Sequence, residues 1–167
     1  MNPLPEPIEA AYAAYQHVGD AASLSTLHQA IVASPDYTRY LSWLPAVEIF
    51  LEKSREHDAV RLLEEHLPAG FFSPVVHAYL ARGFLALGDM DRARAEEQLA
   101  WHALGTMVRS GDGTKQSPWR VLYVDDVHAL LAHQQQRPRR QRTDGDLDII
   151  TCTDGTTYYF AYLGEHR

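Results

Sequence analysis

Residues in the first two-thirds of the chain recur at one spacing. Phe50 and Phe84 are 34 residues apart, as are Ala59 and Ala93, while Gly19 and Gly88 are 69 apart, close to two such periods. The segments after the two glycines are alike, Gly19-Asp20-Ala21-Ala22 and Gly88-Asp89-Met90-Asp91, and each opens an apolar-periodic run after a short polar break. A period of about 34 residues is the length of two antiparallel helices with their turns, stacked unit on unit. The spacing therefore predicts successive helical hairpins, whose apolar faces are covered only by their neighbours.

The best copy runs from His77 to Leu104. Leu80, Ala81 and Phe84 share one face of a first helix, and Ala93 and Ala100 lie two turns apart on a second. Small residues where helices cross let the axes approach to the short end of about 8–10 Å. This copy resembles the tetratricopeptide pattern, with His77 in place of the usual Trp and Glu97 where an aromatic is common. The middle copy keeps Phe50 and Ala59 and has Ser54 at the turn. Pro45 splits its first helix into Asp36–Trp43 and Pro45–Lys53, since proline is tolerated only at a helix start or a kink. The first copy, Ile8–Ala33, has Tyr15 at the aromatic position and Leu24 where Ala is expected. Ser73-Pro74 starts a helix over Pro74–Leu87, Asp89 caps the next one, and Leu67-Pro68-Ala69-Gly70 ends a helix that begins near Glu56.

After Ser110 the period changes. Ser110-Gly111-Asp112-Gly113-Thr114 is a turn-rich loop, and Trp119–Val124 has the β-branched and aromatic content of a strand. Asp125 or Asp126 caps a short helix over Val127–His133. Leu147–Thr153 and Thr156–Tyr162 flank Asp154-Gly155, a two-residue hairpin signal. With Thr153 opposite Thr156, Leu147, Ile149, Thr151, Tyr158, Phe160 and Tyr162 share the apolar face. The Trp119 strand joins as a third, because two strands alone are marginal. The expected fold is mainly α (α+β): a tetratricopeptide-like helical region over 1–109 and a small antiparallel β-element with one short helix over 110–167, capping it as one compact unit. Helical repeats, then Ser-Gly-Asp-Gly at 110–113, a strand, an Asp-led helix, a linker containing Gln141 and a final hairpin resemble a bacterial domain-of-unknown-function family. Leu147-Asp148 stands where its members tend to carry a Tyr-Asp pair. The resemblance implies an architecture and no activity.

Charge bears on partners. The net charge of −7 is concentrated, with 14 acidic against 8 basic residues in 1–110 and 8 against 7 in 111–167. Global acidity argues against nucleic acid. The run Arg137-Pro-Arg139-Arg140-Gln-Arg142 lacks interleaved aromatics and is read as a solvated loop. One cysteine, Cys152, excludes a disulfide framework, and as a strand residue it is read as buried rather than reactive. No stretch reaches the ~20 apolar residues of a membrane span. The opening segment lacks the basic and apolar regions of a signal peptide, so a cytoplasmic location is expected. The nine histidines contain no His-Glu-x-x-His, no Gly-x-Ser-x-Gly is present, and Gly111-Asp112-Gly113 lacks the Gly-Lys-Ser/Thr ending of a phosphate loop. Neither metal, cofactor nor catalytic machinery is expected.

Arrays of this type bind proteins along the face made by the first helix of each pair. That geometry assigns Glu6, Glu9, Gln16 and His17 from the first copy, Glu48, Leu51 and Glu52 from the second, and Arg82 and Leu85 from the third. The expectation is a non-enzymatic module with an acidic groove for a basic protein. It would serve as an immunity protein neutralising a bacterial toxin or as a chaperone for a secreted effector. An enzyme or small-ligand binder with a cleft between repeat and tail is the alternative. Replacing Glu48 and Glu52 by Lys is expected to weaken a basic partner at low salt, and an unchanged affinity there would count against the acidic groove.

Overall fold

The computed structural model describes residues 4–35 and 37–164. Six helices come first: α1 (Glu6–Val18), α2 (Ala21–Ala33), α3 (Leu44–Glu52), α4 (Glu56–Gly70), α5 (Pro74–Ala86) and α6 (Met90–Arg109). The tail follows as β1 (Trp119–Val121), α7 (Val124–His133), β2 (Pro138–Asp144), β3 (Leu147–Cys152) and β4 (Thr157–Tyr162). The chain is thus mainly helical with a small sheet at its C-terminal side. No helix among the described residues is long and apolar enough to cross a membrane.

Local chemistry accounts for the helix ends. Asp20 accepts a hydrogen bond from the Ser23 N–H at 2.8 Å, Ser73 from Val76 at 3.4 Å and Asp89 from Arg92 at 3.1 Å, so side chains cap α2, α5 and α6. The three hairpins each turn on a residue in the left-handed region, Gly19 at φ 71°, Ser54 at 52° and Gly88 at 80°. The second and third turns carry the same bonds shifted by 34 residues. Arg55 N–H reaches Phe50 C=O at 2.8 Å, and Asp89 N–H reaches Phe84 C=O at 2.9 Å. This is the helix-ending pattern that satisfies the last carbonyls. Ala59 and Ala93, also 34 apart, are both buried.

Two features depart from a regular stack. Residues 37–43 form no helix, and α3 is one piece with Pro45 in its first turn; Asp36 lies outside the described residues. The tail supplies partners to polar groups of this segment. Val124 N–H bonds to the Arg39 carbonyl at 3.0 Å, Leu41 N–H to Asp125 Oδ2 at 3.3 Å, and Tyr37 O–H to the Leu122 carbonyl at 2.7 Å. The first hairpin docks through aromatic side chains. Tyr12 lies 5.2 Å from Phe71 and 6.0 Å from Phe72 between ring centroids, and Tyr15, His28 and His102 pack on Phe72 at 5.8–6.1 Å.

The sheet order is β1-β4-β3-β2. It is mixed, because β1 runs parallel to β4, while β2, β3 and β4 are antiparallel. The last hairpin pairs Ile150 with Tyr158 and Thr151 with Thr157, one residue away from the expected register. Its loop has three residues, Thr153–Gly155, closed by Cys152 N–H to Thr156 C=O at 2.8 Å. A one-residue slip exchanges the faces, so Ile150, Cys152 and Phe160 pack with Tyr158 and Tyr162 against α7. The arginine run is not a loop: it forms most of β2, an edge strand exposed along its whole length. Arginines on an edge discourage further pairing.

Two clusters form the core, and each crosses the boundary near residue 110. Leu122 and Tyr123 of the tail are buried among α1–α6, and Met107 of α6 is buried in the sheet–α7 cluster. Ser54 has a Cβ where the backbone favours glycine, a conformation that costs an L-residue about 1–2 kcal/mol. Ser54→Gly is expected to raise stability by about 0.5 kcal/mol after the added chain entropy, read as a higher urea midpoint; a lower midpoint would contradict the left-handed turn.

Candidate functional site

α5 and α6 are antiparallel partners with small residues facing each other. Ala78 and Ala81 on α5 and Ala93 and Ala100 on α6 leave a depression between the two axes. Leu85, Met90, Trp101 and Leu104 wall it, and α7 adds Ala129, giving a groove of about 720 Å³. Leu85 is 56% exposed, Met90 47% and Trp101 60%. Single exposed apolar side chains are ordinary, but three around one apolar groove form a patch of the kind that partners cover. The charged groups in its lining are Arg82, Arg94 and Glu97. Tyr79, also in the lining, donates its hydroxyl proton to Glu48 on α3. Burial first, and then that glutamate, push the Tyr79 phenol up to about 12.

The predicted partner-binding residues are dispersed. Glu6, Glu9, Gln16 and His17 are exposed on α1, opposite the buried Ile8, Ala11 and Tyr15. Glu48 and Glu52 are exposed on α3. Leu51, expected on the binding face, is buried in the core at 7% exposure, since Leu44, Val47 and Leu51 make the inward stripe of α3. Arg82 and Leu85 line the groove, and Glu48 reaches it only through Tyr79. The charged lining of the groove is therefore two arginines and one glutamate, while the glutamates of α1 and α3 stand outside it.

Buried polar pairs underlie the site, and the sequence reading missed them. His77, which stands in place of the usual Trp, is fully buried and bonds through Nδ1 to Glu96 Oε2 at 2.6 Å. The pair ties α5 to α6 from the side away from solvent, and the Phe71 ring meets the imidazole edge-on at 5.7 Å. The signal was present: both residues fall on inward positions of helices joined by the Gly88 turn. Asp125 and Asp126, expected as caps, lie in the first turn of α7, where Tyr123 holds the cap position. Asp126 is buried, and its Oδ1 accepts a 2.5 Å hydrogen bond from the Ser73 hydroxyl. Burial pushes the carboxyl well above its usual range and Asp125 adds to the rise, against the Ser73 and Tyr123 hydrogen bonds that lower it.

The Ser110–Gly113 segment has a structural task. The Asp112 and Gly113 N–H groups donate to the Ser117 carbonyl at 3.0 and 3.1 Å, and the Gly113 carbonyl accepts from Tyr159 N–H at 2.9 Å. A Cβ on Gly113 would meet the Trp119 and Tyr158 rings at 2.8 Å, so only glycine lets the loop lie flat on β4. Cys152 is buried on β3, and burial raises its thiol. Among the described residues no three of His, Cys, Asp and Glu gather as a metal site. No protein-family model, curated protein or solved structure matches the chain.

The folded Asp126 is protonated where the unfolded one is ionised. Its folded value lies above the unfolded one, so its contribution is full below the ordinary carboxylate range and is lost as pH rises toward the folded value. Asp126→Asn keeps an acceptor for Ser73 and removes the titration. The urea midpoint of the native chain is expected to fall more steeply with rising pH above about 4 than that of the variant. Parallel pH profiles would show that Asp126 is ionised in the fold.

Proposed function

We propose that this chain is a non-enzymatic protein-binding module that takes an amphipathic helix of a partner protein into the α5/α6 groove and so masks or escorts that partner. The observation that supports the reading is the groove itself, apolar along its floor and carrying three exposed large side chains. The α6 wall from Met90 to Leu104 is about 21 Å long at 1.5 Å per residue, room for about four turns of a docked helix. Trp101 and Leu85 are the natural anchors, because large apolar side chains that become fully desolvated dominate binding energy.

Charge refines the occupant. Arg82 and Arg94 line the groove, and neither has a carboxylate partner among the described residues. A docked helix bearing carboxylates beside its apolar stripe would neutralise them. The glutamates on α1 and α3 lie outside the groove and would steer a partner whose remaining surface is basic. A toxin masked by its immunity protein and an effector escorted by its chaperone both meet this description.

The test begins with the partner captured from the native host and purified, so that affinity is measured between two defined proteins. Leu85→Asp with Trp101→Asp changes two exposed side chains and is expected to weaken binding about 30-fold or more. Glu9→Lys, outside the groove, should change affinity far less at moderate salt. A partner that binds the double variant as tightly as the native chain overturns the groove as the docking surface.

A further inference from the structure

A second cleft, of about 510 Å³, opens between α2, the C-terminal end of α6 and the start of the tail. Arg109 lines it from α6, Arg120 from β1, and His28 and Gln29 from α2. Among the described residues no carboxylate pairs with either arginine. Asp20 is the acid in the lining, so the two arginines leave it one net positive charge; the Asp20 Oδ1 accepts from the Ser23 N–H at 2.8 Å and the Ser23 hydroxyl at 2.7 Å, which starts α2.

The backbone that carries the two arginines is held in a fixed frame. The Ser110 hydroxyl accepts from Arg120 N–H at 2.8 Å and donates to the Met107 carbonyl at 2.6 Å, so β1 is locked to the end of α6 at the residue that follows Arg109. Their positive field is felt nearby. Burial and then the Arg120 charge lower His28 to about 4, and burial and then the Arg109 charge lower His102. Two guanidiniums, a neutral imidazole and an amide supply hydrogen-bond donors to the lining, and Tyr15, Leu24 and Leu163 supply its apolar surface.

We propose that this cleft binds the oxyanion head of a small organic molecule, a carboxylate or phosphate clamped by Arg109 and Arg120, with a compact apolar body against Leu24 and Leu163. Charge-assisted hydrogen bonds to guanidinium are the strong kind, and they supply the orientation that the apolar wall cannot. The site is separate from the α5/α6 groove and does not depend on its reading.

Calorimetric titration of the full chain with phenyl phosphate, benzoate and inorganic phosphate tests the proposal. At least one organic probe should bind saturably and more tightly than inorganic phosphate, and the tighter one identifies the head group. Arg109→Gln and Arg120→Gln, both exposed side chains, are each expected to weaken that probe by about tenfold or more. Arg140→Gln on the exposed β2 removes the same charge outside the cleft and should leave affinity within about twofold. Occupancy should also raise the pKa of the His28 imidazole, followed by NMR, because the bound anion offsets Arg120. Absence of saturable binding by either organic probe overturns the proposal. So does an equal loss in Arg140→Gln, or a His28 pKa that does not move at saturation.

Discussion

The corner between α4 and α5 is the constraint on which the rest of the molecule depends. Phe71, Phe72 and Ser73 occupy three successive buried positions there, and Phe72 holds a positive φ of 65°. Such a backbone is unfavourable for an aromatic residue and persists only when its surroundings over-determine it. They do so from three directions. The first hairpin brings Tyr12, Tyr15 and His28 onto the two rings, α6 brings His102, and the tail hydrogen-bonds to the backbone and to Ser73. The Tyr123 hydroxyl donates to the Phe71 carbonyl at 2.9 Å, and Ser73 both caps α5 and donates to Asp126. Two helical segments and the β-bearing tail are thus fixed to one turn of chain.

Both candidate sites lie on elements set by that corner. The groove needs α5 and α6 held together, which the buried His77–Glu96 pair does from the side away from it. A buried charged or polar pair adds little net stability but penalises a slipped arrangement, since either partner alone would be left unsatisfied. The second cleft lies where the first hairpin meets the end of α6 and β1, with His28 of α2 packed on Phe72 at the same place.

Much of the helical part was legible. Asp20, Ser73 and Asp89 cap as short polar residues before an apolar run should. The turn positions repeat at 19, 54 and 88, with Ser54 where the others carry glycine. The sites were less legible. Glu6, Glu9, Gln16, His17, Glu48, Glu52 and Arg82 were gathered by assuming an unbroken array, and only Arg82 lines the groove. Nothing in the sequence singles out Trp101 and Met90, because periodicity says which side of a helix is apolar and not whether a neighbour covers it. The hairpin misled by one residue for a related reason. Asp154-Gly155 fits both a two-residue loop and the end of a three-residue one, and the choice was made by burying Ile150 and Phe160 against α7.

What the sequence determined by itself was the set of local elements: where helices start and turn, that the period changes after Ser110, and that the acidic charge rides on the helical part. These are decided within a few residues by capping, backbone preference and periodic burial. The tertiary structure alone decided what each element meets. It made residues 37–43 an irregular strap by giving their polar groups partners in the tail. It turned the arginine run into an edge strand by supplying β3 as its partner. It also left α5 and α6 uncovered on one side and brought Arg109 and Arg120 into one cleft. Pairings between residues tens of positions apart depend on which surfaces compete for the same neighbour, and that competition is resolved only when the whole chain packs.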